Sequence, residues 1–458
     1  MPTTLVRGGT LATIHGVFRA DIVIRDGVIA ALTADAGDLA ADETIDATGL
    51  TILPGGVDPH THMREPSKRD REGFATGTAA AAAGGITTIV EMPQADPPAT
   101  DGATFRQKRE LAEAHALIDV ALYGGAVGQP RAQIDEQFAA GAVAFKSFMC
   151  NSSPSYPAVD DAQLYDALLA VADLDSFLTV HAENDALLQT YLRRLREAGR
   201  HDNLAHCESR PPFVEAEAVR RAIYLAGEAG AHVHIAHVSA AQSLLAIEEA
   251  KADGHWVTAE TCPQYLLMTE EDVDRLGPYA RCAPAIRTRD HVEAMWRGLG
   301  DGTLDFVCSD HAPYETAEKE AGRASIWEAP LGLNIIQVMY PAVLDEALHA
   351  WGFPLELCAA ITATNAARIF GLYPRKGTIQ VGADADLACY DFDREWTVRA
   401  ADLFTKHKWT PLDGRRVRGR VVRTISRGRT VYLDGRITAE PGSGRFVTRR
   451  QTAGGRRQ

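Results

Sequence analysis

Asp58-Pro59-His60-Thr61-His62 closes a short apolar, β-branched run, and its two histidines stand one residue apart. Residues two apart in an extended strand point to the same side, so His60 and His62 can close on one metal ion. The pair alone is weak evidence, since many such histidines serve only the surface or the core. Further candidates follow later runs in the same manner: His181 after Leu178-Thr179-Val180, His237 after His234-Ile235-Ala236, and Asp310 after Val307-Cys308-Ser309. Lys146 interrupts the apolar run from Ala142 to Met149, where an unpaired ammonium is costly to bury. An ion pair or a snorkelling side chain would account for it. So would chemistry. Burial depresses a lysine pKa, and the neutral amine can take up carbon dioxide to form a carbamate, a carboxylate able to bridge two cations. Two cations so bridged lower the pKa of a water held between them.

These residues need a frame that brings distant chain segments together. From about residue 50 to 330, eight short apolar runs alternate with helical patterns. The runs are 51–57, 86–92, 119–124, 142–149, 177–181, 232–238, 256–262 and 305–309, and helical periodicity marks 105–116, 160–172, 215–229, 240–252 and 291–299. This order predicts an α/β fold, a (β/α)8 barrel of the TIM type, whose catalytic groups come from C-terminal strand ends. An open doubly wound sheet needs a Gly-rich phosphate turn after its first strand, and Pro54-Gly55-Gly56-Val57-Asp58 is not one. Residues 4–48 and 378–440 alternate with period two between turn signals. Each segment is too small to fold well alone, so the two termini are expected to form one β-sandwich beside the barrel. The division expected is 1–52 and 378–440 in the sandwich, 53–377 in the barrel, and 441–458 as an arginine-rich tail. That tail is read as a mobile end in preference to an arm on another subunit. His206, His232, His234 and His311 are read as structural or as supports behind the metal ligands, with His232 and His234 facing the helices because their strand parity is opposite to that of His237.

Composition narrows the function classes. The chain has 458 residues, 46% hydrophobic and 24% charged, which suits a globular protein with a large core. Its net charge of −14 opposes binding to nucleic acid or to an anionic membrane surface. The N-terminus lacks an apolar signal region, and no apolar run is long enough to span a bilayer. Seven scattered cysteines with no CxxC pair suggest neither disulfides nor a zinc knuckle, so a cytoplasmic setting is expected.

The set His60-x-His62, Lys146, His181, His237 and Asp310, in this order, resembles the binuclear amidohydrolase superfamily, and within it the cyclic amidohydrolases: hydantoinases, dihydropyrimidinases, allantoinases and dihydroorotases. Supporting stretches are Ala83-Gly84-Gly85-Ile86-Thr87-Thr88, Glu91-Met92-Pro93, Ala236-His237-Val238-Ser239, Ser309-Asp310-His311-Ala312-Pro313 and Gly382-Ala383-Asp384-Ala385-Asp386-Leu387. The resemblance implies that His60, His62, carboxylated Lys146 and Asp310 hold a buried metal, and Lys146, His181 and His237 an outer one. Zinc is the default; manganese, cobalt or iron suit the same ligands. It further implies hydroxide attack on a ring amide carbonyl, with Asp310 moving the proton to the leaving nitrogen. A homodimer or homotetramer is implied too. Relatives that serve as noncatalytic scaffolds lose metal ligands, whereas all six positions are intact here.

The substrate is less legible. Arg64 stands where dihydroorotases place a carboxylate-binding arginine, which favours an anionic substrate. Their other two clamp positions have departed, to Gln94 and Tyr314. A structural ion pair of Arg64 with Glu65 or Asp70 is the competing reading. Ala121-Leu122-Tyr123-Gly124-Gly125, Cys262-Pro263-Gln264-Tyr265-Leu266 and Phe370-Gly371-Leu372-Tyr373-Pro374 look more like allantoinases and L-selective hydantoinases. The oxyanion tyrosine of dihydropyrimidinases is replaced by Asn151 or a neighbour. A cyclic ureide of hydantoin or allantoin type is therefore the expected substrate, with dihydroorotate the alternative. Phe148 to Asn151 are expected to line the pocket, and Ala283 and Pro284 to offer backbone groups to the ring.

Overall fold

The computed structural model describes residues 3–153 and 155–450. Eight strands form one parallel sheet in sequence order: Gly56–Thr61, Ile86–Glu91, Asp119–Gly125, Ala144–Phe148, Phe177–His181, His232–Ile235, Val257–Thr261 and Phe306–Val307. Apart from half-buried Thr258 their residues are buried, as befits strands with a packed barrel on one face and helices on the other. The first and eighth strands meet through a bridge between Thr61 and His311 and through Ser309. The Ser309 N–H and hydroxyl donate to the two Asp58 carboxylate oxygens, at 3.0 and 2.6 Å. The expected (β/α)8 barrel is therefore the fold.

Local chemistry places the intervening helices. Asp101 and Asp160 accept from the backbone N–H groups of Thr104 and Gln163, each at 2.8 Å, and so cap Gly102–His115 and Asp161–Asp173. Pro212 opens Pro212–Ala229, and Gly230, at φ 61°, ends it. At the end of the barrel away from the strand C-termini, the Phe370 ring packs within 6.3 Å of the rings of Tyr123, Phe177, His234 and Phe306.

Both termini contribute to the sandwich. One sheet orders Val28–Thr33, Asp21–Arg25, Thr3–Arg7 and Glu43–Asp46; the other orders Arg436–Ile437, Arg429–Leu433, Arg416–Ser426, Leu387–Thr397, Thr51–Pro54, Thr10–Thr13 and Gly16–Arg19. Val6, Ile22 and Ile45 meet Leu11, Ile52, Leu387 and Ile425 between them. The run 51–57 is thus not one barrel strand. Thr51–Pro54 pairs with residues 387–390, and the chain crosses into the barrel at Gly55. A Cβ there would lie 2.3 Å from Thr87 Oγ1, so only glycine fits the crossing.

An ionic cluster locks sandwich to barrel. Lys376 Nζ, fully buried, lies 2.5, 2.9 and 2.7 Å from Asp119, Asp384 and Asp386, and Arg427 Nε donates to Asp119 at 2.9 Å. The first part of the tail, residues 441–450, joins the same place, and for these residues the expectation of a mobile end is corrected. The Arg445 N–H donates to Asp119, and residues 445–447 pair with Val120 by backbone hydrogen bonds of 2.9 Å in each direction. Residues 451–458 of that tail lie outside the described residues. Among the described residues, no helix is long and apolar enough to cross a membrane.

Candidate metal centre and active site

The barrel brings the six expected ligands to its C-terminal mouth. His60 ends in the first strand and His62 follows it; their Nε2 atoms lie 3.3 and 3.2 Å from Asp310 Oδ1. His181 Nδ1 lies 3.0 Å from His237 Nε2. His237 and Asp310 have φ angles of 39° and 43°, a region that non-glycine residues enter at a cost. These turns carry both side chains out of strand parity and into the mouth. Lys146, on the fourth strand, is 0% exposed, and its Nζ has no hydrogen-bond partner. Burial pushes its ammonium down to about 8, against the pull of Glu260 and Asp310.

The proton inventory shows that this set fits a metal. His60 Nδ1–H donates to Glu260, and His181 Nε2–H donates to Glu183 at 2.7 Å. With their other ring nitrogens on these carboxylates, His60 points Nε2 at the Asp310 carboxylate and His181 points Nδ1 at His237 Nε2. His60, His237 and Asp310 each bring one ligand atom within 4.8 Å of the other two, close enough to share one ion. Burial holds His62 down at about 3 and His237 well below the usual histidine range, so both imidazoles are neutral donors. Asp310 is held below the ordinary carboxylate range: burial pushes it up, but the imidazoles of His60, His62 and His237 outweigh that. Nitrogen and carboxylate ligands suit a borderline divalent ion such as zinc.

Residues 51–431 match the family described as "Amidohydrolase family". The chain belongs to the amidohydrolase family. It is 43% identical over 454 residues to an allantoinase of Rubrobacter xylanophilus, covering 99% of each chain, and 38% identical over 448 residues to an L-hydantoinase of Paenarthrobacter aurescens, covering 97% of this chain and 98% of that one. Its structure is similar to that of an L-hydantoinase (dihydropyrimidinase) from Arthrobacter aurescens, with a TM-score of 0.96, 37% identity, and 98% of this chain and 100% of that one covered. A dihydropyrimidinase from Brevibacillus agri gives a TM-score of 0.92 at 32% identity, over 98% of each chain.

Above the ligands of this amidohydrolase opens a cavity of about 600 Å³. Arg64, Gln94, Ala283 and Tyr314 line it, as expected from the sequence; Asn151 does not. The Asn151 backbone N–H and side-chain amide donate to Asp185 at 3.0 and 2.9 Å, which holds the residue at the surface. Ser152, Ser153 and Ser155 face the cavity instead, together with Phe148, stacked on His181 at 5.2 Å. Cys150 packs behind with Leu188 and Val214. Arg64 makes no ion pair with Glu65 or Asp70. Glu65 accepts from Arg69 at 2.8 Å and lies 3.1 Å from His115, while Arg64 sits over the Tyr314 ring at 4.9 Å.

Two carboxylates that orient ligands were not legible as site residues, Glu260 and Glu183. Glu260 carries the same signal as Lys146, an ionisable residue in the apolar run Val257-Thr258-Ala259-Glu260-Thr261. Glu183 follows His181 by two residues and pairs with Arg210. His234 is a correction. It faces the barrel interior rather than the helices, with Nε2 3.3 Å from Glu260 and Nδ1 2.8 Å from the Thr258 hydroxyl. The parity argument fails because His232–Ile235 ends before the turn at His237.

Proposed function

We propose that this amidohydrolase cleaves one carbon–nitrogen amide bond in a cyclic ureide of the hydantoin or allantoin type and releases a ring-opened ureido acid. The observation that carries the reading is Lys146 Nζ, buried and unpartnered and within electrostatic reach of His181, His237 and Asp310, which line the barrel mouth with His60 and His62. Relatives named allantoinase and L-hydantoinase support the ring type.

His60, His62, carboxylated Lys146 and Asp310 would hold a buried divalent cation, and Lys146, His181 and His237 an outer one, zinc being the first choice. Such ions supply Lewis acidity toward a ring carbonyl and acidify a water at neutral pH. The chain's own groups do the rest. Asp310, kept ionised by the surrounding imidazoles, accepts a proton from the attacking water and returns it to the leaving ring nitrogen. Polar atoms of Gln94, Tyr314 and the Ser152–Ser153 wall bracket the ring, and the Ala283 backbone borders it. Phe148 and the buried strand ends keep bulk water from the lower wall.

Zinc-reconstituted protein assayed on allantoin, 5-substituted hydantoins of both hands, dihydrouracil and dihydroorotate tests this. Ring opening of allantoin or a hydantoin is expected. Exclusive turnover of a six-membered ring, or of none, overturns the reading.

A further inference from the structure

The left-handed backbone turn at His237, φ 39°, carries strain that persists only where neighbouring groups over-determine the turn. The groups that do so come directly after it. Ser239 and Ala240 donate their backbone N–H groups to one Glu215 oxygen at 3.0 Å each, and the Ser239 hydroxyl donates to the other. Glu215 stands in the first turn of Pro212–Ala229 and is 2% exposed. Its counter-charge is Arg287, 3% exposed, whose Nη2 donates to it at 3.2 Å. Arg287 Nε donates to the Ser239 hydroxyl oxygen at 3.1 Å, which closes a ring of three side chains behind the turn.

The remaining nitrogen of the same guanidinium points elsewhere. Arg287 Nη1 donates to the Arg210 carbonyl, and the Arg210 side chain donates to Glu183, the carboxylate on His181 Nε2. Arg287 therefore reaches both His181 and His237, whose facing nitrogens lie 3.0 Å apart. A guanidinium carries donors on three nitrogens in one rigid plane, whereas an ammonium concentrates its donors on one atom. Replacing a buried ion pair by apolar side chains is often neutral for stability, so what sets Arg287 apart is the geometry it imposes on three acceptors. The ligands expected on the inner ion have other supports: Glu260 behind His60, and Asp58 behind Asp310 through the Ser309 N–H and hydroxyl.

We infer that Arg287 is a positioning residue for the outer ion of the proposed centre, holding His181 and His237 in register as one unit while the inner ligands are held independently. The inference rests on the two-ion reading of the site and adds to it the residue that keeps the outer ligands together.

The test is a zinc titration of the full-length, metal-stripped protein in bicarbonate buffer, in competition with a chromophoric chelator and with no substrate present. The wild type is expected to bind two ions. Arg287→Met is expected to weaken one step by about 10–100-fold, the range for losing the support behind a ligating histidine, and to leave the other within about threefold. Arg287→Lys recovers part of that loss, because the charge facing Glu215 returns without the three-way fork. Glu260→Gln acts on His60 and is expected to weaken the other step, so the double variant is weakened at both. Ser239→Ala removes a single hydroxyl from the ring and decides the matter if Arg287→Met does not fold; it is expected to weaken the same step as Arg287→Met by about fivefold, the scale of one hydrogen bond. Equal weakening of both steps by Arg287→Met, or of the same step by Arg287→Met and Glu260→Gln, overturns the inference. So does a wild type that binds two ions with Arg287→Met or Ser239→Ala unchanged, and the two-ion reading then stands. Fewer than two ions bound by the wild type overturns the two-ion reading and the inference with it. With no substrate in the titration, its result is separate from which ring, if any, is opened.

Discussion

The Glu260 carboxylate stands between two histidines, accepting from His60 Nδ1–H on one side and lying 3.3 Å from His234 Nε2 on the other. It thereby ties a candidate metal ligand to the closed, aromatic end of the barrel. A carboxylate on the far nitrogen fixes the tautomer and raises the basicity of the ligating one. Glu260→Gln keeps the acceptor and the volume but removes the charge. Zinc affinity is expected to fall by about 10–100-fold, with the fold retained, and competitive titration against a chromophoric chelator measures it. Unchanged affinity would show that His60 needs no carboxylate behind it.

Lys146 trades stability for chemistry. Its ammonium is fully buried with no partner in the metal-free chain, so Lys146→Met replaces an unpaired charge by an apolar group of similar length. The metal-free variant is expected to melt at or above the wild type. With zinc added, its ring-opening rate is expected to be at least about 100-fold lower, because the proposed function makes carboxylated Lys146 a ligand to both ions. Scanning calorimetry and the hydantoin assay provide the two readouts. A variant that is both less stable and fully active reverses the assignment.

Much of the fold was legible because barrel strands obey a simple rule: short β-branched runs between helices, each buried on both faces. His60, His62, His181, His237 and Asp310 were legible for the same reason, since they stand at or just beyond strand ends. What escaped was decided by the backbone rather than by residue type. The left-handed turn at His237 breaks the period-two pattern on which His234 had been placed facing the helices. The tail residues 445–447 are held by main-chain hydrogen bonds to Val120, which any sequence can make. Asn151 was expected in the pocket because it stands where the resembling dihydropyrimidinases carry a tyrosine, yet Asp185 draws it away.

All seven cysteines are buried and free. Cys262 and Cys308 lie 3.5 Å apart, sulfur to sulfur, each just past the end of one of two neighbouring strands. Burial pushes Cys262 up to about 12 and Cys308 well above the ordinary thiol range, so neither carries thiolate at neutral pH. Native protein is expected to give no fast reaction with a chromogenic disulfide reagent, and denatured protein seven equivalents. A fast-reacting thiol in the native state would contradict the packing at these strand ends.

Lys376 provides the sharpest stability prediction. Its ammonium faces Asp119, Asp384 and Asp386 at the junction of barrel and sandwich, so Lys376→Met leaves three carboxylates around an apolar group. Breaking a buried pair in this way costs about 3–5 kcal/mol, measured by urea unfolding at pH 8. The pH dependence gives a second check. In the wild type, burial pushes Asp119 up, but Lys376 and Arg427 outweigh it and leave it below the usual range; burial leaves Asp386 above it. Without Lys376 both carboxyls shift upward. A carboxyl whose folded pKa exceeds its unfolded one gains stability as pH falls through the folded value, because the folded state then binds the extra proton. The deficit of Lys376→Met is therefore expected to shrink between pH 8 and pH 5, and a deficit that stays constant or grows over that range would mean that the three carboxylates find other partners.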